Sequence, residues 1–434
     1  MMKLCRFLTS ALLFSVLLKS TAIAQPFFLT HHDAAKFRPD AAGIVYQQAG
    51  TKVWRSLDAR TSEFDKLYTV NFQKTQKSKD ELSTYGEVLH LVDKQFAIMK
   101  LESLDQVARL SSELHHAGMA CGAVIRLDGD AIIAPSTTAP GPISSLDTKL
   151  STVESMISKV EAGRIESTIN QMESIHTRYA RSQTGATIAD RLIELYRPLA
   201  DGRSDVRIET FDHSAISIRQ PSLVVRVIGR SKPDEIVILG SHIDSIVGFG
   251  SGSARSPGAD DNASGTATNL EIFRVMMQHG IGLERTLEIH GYAAEELGLL
   301  GSKEIAKKYK QTNKNVIAMV QHDMNLYSQD GIDKIWFVSN ETSNPFNQQL
   351  ISLLRLYLNV PYDSAPLYAG SSDHYSWSQS GFHAAFPFED PNNYNPNIHT
   401  ADDTSSNADS FGQAAEFAKL GLAYIAHFAG IAVL

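Results

Sequence analysis

The chain has 434 residues, 43% of them apolar, with 40 basic and 48 acidic side chains and a formal net charge of −8. That length and apolar share allow more than one domain and a sizeable core. The acidic balance argues against a nucleic-acid partner, whose phosphates call for a basic face.

In chain order, Met1 to Ala24 joins Lys3 and Arg6 to an apolar run centred on Ala11 to Leu18 and a small-residue site at Ala22-Ile-Ala24. The run is shorter than the ~20 apolar residues a spanning helix needs. Residues 1–24 are therefore expected to be a cleavable signal peptide, giving a secreted or periplasmic protein without a stable membrane anchor. Its removal takes Cys5 and leaves Cys121 as the only cysteine, so no internal disulfide can form.

Residues 25–134 read as a small α+β domain. Strands are expected at Leu67 to Phe72 and Phe96 to Leu101, an amphipathic helix at Leu104 to His116, and a hairpin or strand over Ala123 to Ala134. His115 and His116 read as polar-face residues of that helix, and the domain holds no catalytic constellation. Residues 135–150 form a linker that opens with the Pro/Ser/Thr-rich run Pro135-Ser-Thr-Thr-Ala-Pro-Gly-Pro142.

The rest, 151–434, alternates helical and strand-like patterns. Helical stretches are expected over Ser151 to Ala180, Ile188 to Leu199, Ala267 to Met277, a Lys-rich run to Tyr309, Pro345 to Leu358 and Phe411 to Ala429. Strands are expected at Val206 to Phe211, Leu223 to Gly229, Glu235 to Leu239, Thr286 to Tyr292, Val316 to Val320, Lys334 to Ser339 and Phe382 to Phe388. This predicts an α/β fold with a mixed, mostly parallel central sheet flanked by helices on both faces, preceded by the α+β domain. The last helix is interrupted by Glu416, Lys419 and His427, which suits core packing rather than a membrane span.

Three buried-type strands end in acidic or histidine-bearing sequence, at the rim where open α/β sheets bind ligands. Glu235 to Leu239 leads to His242-Ile-Asp244, in which Asp244 can take the second ring nitrogen of His242. Asp260 and Asp261 follow between Pro257-Gly258 and Gly265; two carboxylates entering a helix can be caps, and that reading suits one of them. Thr286 to Tyr292 leads to Glu295 and Glu296, which diverge in direction, so that one can bind metal while its neighbour faces a substrate. Val316 to Val320 leads to Asp323, and a proline-stiffened loop carries His399. His242, Asp260, Glu296, Asp323 and His399 supply two imidazoles and three carboxylates. With one carboxylate shared, this is three protein ligands for each of two Zn2+ ions.

The motifs Ser241-His-Ile-Asp244, Pro257-Gly-Ala-Asp-Asp-Asn-Ala-Ser-Gly265, Ala293-Ala-Glu-Glu-Leu-Gly-Leu299, His322-Asp-Met324, Ser372-Asp-His374 and Asn397-Ile-His-Thr400 stand in one order over residues 150 to 430. In them the chain resembles the bacterial leucyl aminopeptidases, double-zinc exopeptidases of metallopeptidase family 28. The resemblance implies that Asp260 bridges two zincs, with His242 and Asp323 on one and Glu296 and His399 on the other. It implies Glu295 as general base toward a metal-bridging hydroxide, Tyr368 as a donor to the oxyanion, and a cis peptide between Asp260 and Asp261. Tyr368 can equally be a plain pocket wall.

Met324, Val338, Phe386, Phe388, Tyr394 and Ile398 fall at positions of the family's side-chain pocket, which implies preference for a large apolar, leucine-like amino-terminal residue. Asn392 stands where relatives can carry an aromatic, and the cysteine pair that relatives carry near the pocket is missing around Tyr368-Ala-Gly-Ser-Ser372. Ser372-Asp373-His374 is expected to support the site, not to bind a third metal. The implied partners are peptides or proteins with a free amino terminus, acted on by a monomer. Ahead of such an enzyme, the site-free leader domain suggests a propeptide that shields the active site, with a permanent accessory domain as the alternative. A single-zinc glutaminyl cyclase of the same fold and a non-catalytic binding domain are the competing functions.

Overall fold

The computed structural model describes residues 27–31, 41–48, 51–56, 60–72, 77–92, 95–116, 123–130, 132, 138–213, 216, 218–248, 252–367, 370–408 and 410–432. The expected signal segment, Cys121, the start of the expected linker and Tyr368 lie outside the described residues.

Six strands make the central sheet, in the order Ala384–Ala385, Asn315–Gln321, Lys232–His242, Arg285–Tyr292, Ser222–Val227 and Val206–Phe211. The first four run parallel, and Ser222–Val227 runs antiparallel to both its neighbours. This is the mixed, mostly parallel sheet the strand–helix alternation predicts.

Both faces are covered, which is why its central strands read as continuous apolar runs. Side chains alternate along the middle strand: Val237 and Leu239 enter a core with Leu287, Ile289 and Val320, while Ile236 and Ile238 pack on the other face with Met319, Ile305 and Trp377. The first core is roofed by helices Gly265–Gln278, Asn344–Tyr357 and Gly412–Phe428, and the second by Leu300–Gln311 and His374–Gln379. Glycine is required at 265, where a Cβ would stand 2.1 Å from the His322 carbonyl oxygen. The close approach lets this helix start directly against the strand end that carries Asp323.

Two expected elements divide. The helix predicted over Ser151 to Ala180 is two helices, Ser151–Ile157 and Ala162–Glu173. At the break Arg274 Nη2 donates to the Lys159 carbonyl at 2.6 Å, and the Glu161 N–H donates to Glu271 at 2.8 Å, so tertiary partners replace helical ones. The strand predicted over Phe382 to Phe388 joins two sheets. Ala384–Ala385 edges the central one, while Pro387–Phe388 joins Ile335–Val338 and Tyr362–Ala365 in a small sheet, with Phe386 at the crossing.

Ahead of this body the chain forms an antiparallel sheet of Glu87–Val92, Phe96–Lys100, Leu67–Asn71 and Val124–Arg126, covered by helix Leu104–His116. Glu87–Val92 and a further sheet of Phe27–His31, Thr51–Ser56 and Ala41–Gln48 are not among the expected strands. This part of the chain is packed against the larger body. Ala108 of the helix shares a buried cluster with Ala294, Leu297 and Leu300, and Arg181 Nη1 meets Asp105 at 2.6 Å.

Candidate metal centre

Three neighbouring parallel strands deliver the site at their carboxyl ends. His242 is the last residue of Lys232–His242; Glu295 and Glu296 follow Arg285–Tyr292; Asp323 follows Asn315–Gln321. Asp261 comes from the wide turn Ala259–Ser264 that starts the next helix, and His399 from the loop after the small sheet. All six side chains are buried. Three non-glycine residues at the site hold left-handed backbones: Ala294 before Glu295 (φ 51°), Met324 after Asp323 (φ 55°) and His399 itself (φ 56°). Such conformations cost of order 1 kcal/mol each and gather where side-chain aim is fixed by function.

The geometry corrects one expected ligand. Asp261, not Asp260, stands between the histidines: its Oδ1 is 2.9 Å from His242 Nε2 and its Oδ2 is 3.0 Å from His399 Nε2. His242 Nε2 is also 3.3 Å from Asp323 Oδ1, and His399 Nε2 is 2.7 Å from Glu296 Oε2. Two groups result, His242–Asp261–Asp323 and Asp261–Glu296–His399, with the ligand atoms of each within 4.8 Å of one another. Asp260 is turned away because other partners hold it. Its Oδ1 accepts the Leu326 N–H at 3.0 Å, and its Oδ2 accepts Asn395 Nδ2 at 3.1 Å. The cis peptide is likewise one residue on from the expected position, between Asp261 and Asn262. His242, Glu296, Asp323 and His399 stand where the motifs put them.

Asp244 does more than orient His242. Its Oδ1 is 3.4 Å from His242 Nδ1 and accepts the Glu295 N–H at 3.0 Å, while Oδ2 accepts the Glu296 N–H at 3.3 Å. One carboxylate thus ties the first strand end to the second. Ser222 Oγ and Gln220 Oε1 accept the N–H groups of Ala293 and Ala294, which fixes the approach to the glutamates. Behind Asp323, Ser372 Oγ donates to Oδ2 at 2.6 Å, and Gln321 Nε2 donates to both Ser372 and Asp373. The sequence reading gave Ser372 and Asp373 a supporting place and missed Gln220, Asn395 and Asp403. Gln220 lies 22 positions before His242, and Asn395 and Asp403 each stand four positions from His399, but only the fold shows what they face.

Electrostatically the cluster is unstable without cations. Burial pushes the Glu296 carboxyl up to about 7, with Asp261 adding to the shift, and lifts Glu295 well above the usual carboxylate range. Burial opposes a charge on His242, yet Asp323, Asp244 and Asp261 hold its pKa well above the ordinary histidine value. In the same way the carboxylates around His399 outweigh burial and bring it to about 10. Acids and imidazoles are standing in for each other's counter-charge. Among the described residues the facing atoms of His242, Glu296 and Asp323 have no well-formed hydrogen bonds, as expected of atoms aimed at a shared cation. Two imidazoles and three carboxylates form a nitrogen–oxygen donor set that fits zinc.

Beside the centre, Met324, Val338, Phe386, Phe388 and Ile398 form one buried apolar cluster with Leu367, and Tyr394 packs against it. The expected pocket residues are therefore brought together, with Leu367 as an unforeseen member. His374 stacks on Phe386 at 4.6 Å, and Asn392 stays at the exposed rim with its N–H on Asp390.

Residues 222–423 match peptidase family M28. The chain is 32% identical over 299 residues to a probable aminopeptidase of Saccharomyces cerevisiae, covering 67% of this chain and 78% of that one. It is 35% identical over 272 residues to leucine aminopeptidase 1 of Blastomyces gilchristii, covering 59% and 69%. Among solved structures it resembles the LapA aminopeptidase of Legionella pneumophila in fold, with a TM-score of 0.69 at 24% identity over 84% of this chain and 98% of that one.

Proposed function

The chain belongs to peptidase family M28 and is a zinc-dependent aminopeptidase, and on that premise we propose that it holds two zinc ions and releases large apolar, leucine-like residues from free amino termini. The observation that carries the two-ion reading is the Asp261 carboxylate, which presents one oxygen to His242 and the other to His399. His242 and Asp323 would complete one ion's protein ligands, and Glu296 and His399 the other's. Bound zinc supplies Lewis acidity toward water and the scissile carbonyl, and an anchor for the free amine.

The chain's own residues do the rest. Glu295 is held by its backbone on Asp244, and among the described residues neither carboxylate oxygen has a hydrogen-bond partner, which leaves both for the reacting groups. It accepts the proton of the attacking water and returns it to the leaving nitrogen. Burial raises its pKa, with Glu296, Asp373 and Asp323 adding to the shift and His242 opposing it; bound zinc would favour the ionised form that a base needs. Met324, Val338, Phe386, Phe388, Tyr394 and Ile398 wall the side-chain pocket, and their apolar surface favours leucine-like over charged residues. Tyr368 remains the proposed oxyanion donor, to be tested by Tyr368→Phe.

Residues 1–24 act as an export signal, on the strength of their basic start, short apolar run and small-residue site. Residues 25–134 govern the enzyme as a propeptide-like domain, a reading supported by the contact of Ala108 with the Ala294–Leu297 turn beside the general base. Limited proteolysis in the 135–150 linker followed by separation of the two pieces tests this: activity should rise once the smaller piece is gone, and no gain removes the inhibitory role in favour of a permanent accessory domain.

The deciding experiment assays purified, zinc-loaded protein against a panel of aminoacyl amides, with metal analysis. Leucyl and phenylalanyl amides should be the better substrates, amino-acetylated ones should be inert, and two zincs should be found per chain. No hydrolysis at full metal load refutes the peptidase reading, and one zinc per chain favours the cyclase-like alternative.

A further inference from the structure

Arg178 is fully buried, 0% exposed, in a stretch expected to be helical that is instead extended beside Ser256. Its guanidinium hydrogen-bonds to main-chain carbonyls: Nε to Ile243 at 3.1 Å, Nη2 to Gly258 at 2.8 Å, and Nη1 to Pro257 and, at 3.5 Å, to Met172. Ile243 lies between His242 and Asp244. Pro257 and Gly258 lead directly into Asp260 and Asp261. The Arg178 N–H adds a bond to Ser245 Oγ at 3.3 Å, and its carbonyl accepts Gln220 Nε2, whose Oε1 holds Ala294. The side chain therefore pins the loop after His242 to the turn carrying Asp261, while the main-chain carbonyl of the same residue reaches through Gln220 to the segment before Glu295.

The charge matters as much as the fork. Burying a cation costs several kcal/mol unless fixed dipoles and counter-charges compensate, and here aligned carbonyls meet it directly. Burial lowers the pKa of the guanidinium, while Asp403, Asp244, Asp261 and Glu296 oppose that loss. Those are the carboxylates that crowd the metal centre. A permanent cation beneath them weakens their mutual repulsion when no metal is bound, and the planar five-donor head fixes two loops that share no regular secondary structure.

We propose that Arg178 is a positioning residue that keeps the His242 and Asp261 loops in metal-binding geometry before zinc arrives, and thereby sets zinc affinity. The inference rests on the metal-centre reading above. A lysine keeps the charge but cannot bridge both loops; a methionine removes both.

The test compares wild type, Arg178→Lys and Arg178→Met by zinc competition against a chelator and by the visible spectrum of the cobalt-substituted protein. Zinc affinity should fall about 10–100-fold in the lysine variant and further in the methionine variant, with a changed cobalt spectrum. Wild-type affinity and spectrum in Arg178→Lys overturn the proposal even if thermal stability drops. Should neither variant fold, amide exchange in metal-free wild type decides. Residues 243–245 and 258–261 should exchange within about threefold of their zinc-bound rates, and a tenfold or greater opening there refutes preorganisation. Failure of wild type to bind zinc at all would refute the metal-centre reading instead.

Discussion

The Asp403 carboxylate accepts the backbone N–H of Asp261 at 3.1 Å through one oxygen while the other takes that of Asp260 at 3.0 Å. That double grip sets which aspartate faces the histidines. Asp261→Asn should therefore weaken zinc at both positions by more than the ~10–100-fold typical of residues behind a ligand. Asp260→Asn should retain zinc and lose on the order of 1–3 kcal/mol of stability, from its disturbed bonds to Leu326 and Asn395. Zinc titration of the two proteins checks this, and equal loss in both would remove the assignment.

The adjacent glutamates divide their labour in the same way. Glu295→Gln should keep zinc and lose about 10²–10⁴ in kcat. Glu296→Ala should lose zinc directly, because its Oε2 faces His399 at 2.7 Å. Metal content measured beside turnover separates the roles, which fail if both variants lose zinc equally.

Zinc removal should destabilise the fold. Glu295, Glu296, Asp261 and Asp323 are left together in a buried space with the two imidazoles and the Arg178 guanidinium as counter-charge. At free zinc 1,000 times Kd, binding adds about 4 kcal/mol. Thermal unfolding with a chelator, and after zinc is restored, measures it; an unchanged Tm would contradict the site.

Away from the centre, Glu288 faces Arg226 Nε at 2.8 Å, His290 Nε2 at 2.9 Å and the Tyr309 hydroxyl at 2.7 Å. Burial raises its pKa, but His290, Arg226 and Tyr309 outweigh that and hold it at about 2. With the folded pKa below the unfolded one of about 4.5, its contribution, on the order of 3 kcal/mol, is present above pH 4.5 and lost as pH falls toward 2. The stability gap between wild type and Glu288→Gln should narrow over that window in denaturant titrations. A gap constant from pH 5 to pH 2.5 would show that Glu288 is not held ionised.

In the pocket, Phe388→Ala should lower the preference for leucyl over alanyl amide by about 10–100-fold. Phe388 is buried, and the same change costs about 3–5 kcal/mol of stability. A ratio of kcat/KM for two substrates is unaffected by the folded fraction, so it isolates the pocket effect. An unchanged ratio would make Phe388 core rather than pocket.

Much of this was legible in sequence, because buried parallel strands announce themselves as apolar runs and the ligands follow three of them directly. His242 and Asp323 needed only that rule, whereas the choice of Glu296 over Glu295 came from the family resemblance. The choice between Asp260 and Asp261 was not legible. Adjacent residues diverge, and which one turns inward depends on Asp403 and Asn395, more than 130 positions away. Arg178 was hidden for a similar reason: its segment carries helical composition, while its structure is fixed by carbonyls of two remote loops. The leader sheet was missed because Phe27–His31, Ala41–Gln48 and Thr51–Ser56 lack the continuous apolar runs of the central strands, with Gln47, Gln48, Lys52 and Arg55 among their residues.

The seam between the helix Leu104–His116 and the Glu295–Leu297 turn has a practical corollary. Ala108 covers Ala294, Leu297 and Leu300, and Gly298, at φ 102°, would place a Cβ 3.0 Å from the Arg126 nitrogen. A single cut in the connecting stretch would thus yield a nicked particle with both pieces still clasped. Stripping the smaller piece away would bare greasy surface next to Glu295, so a shortened expression clone starting near residue 151 should clump unless that patch is made polar.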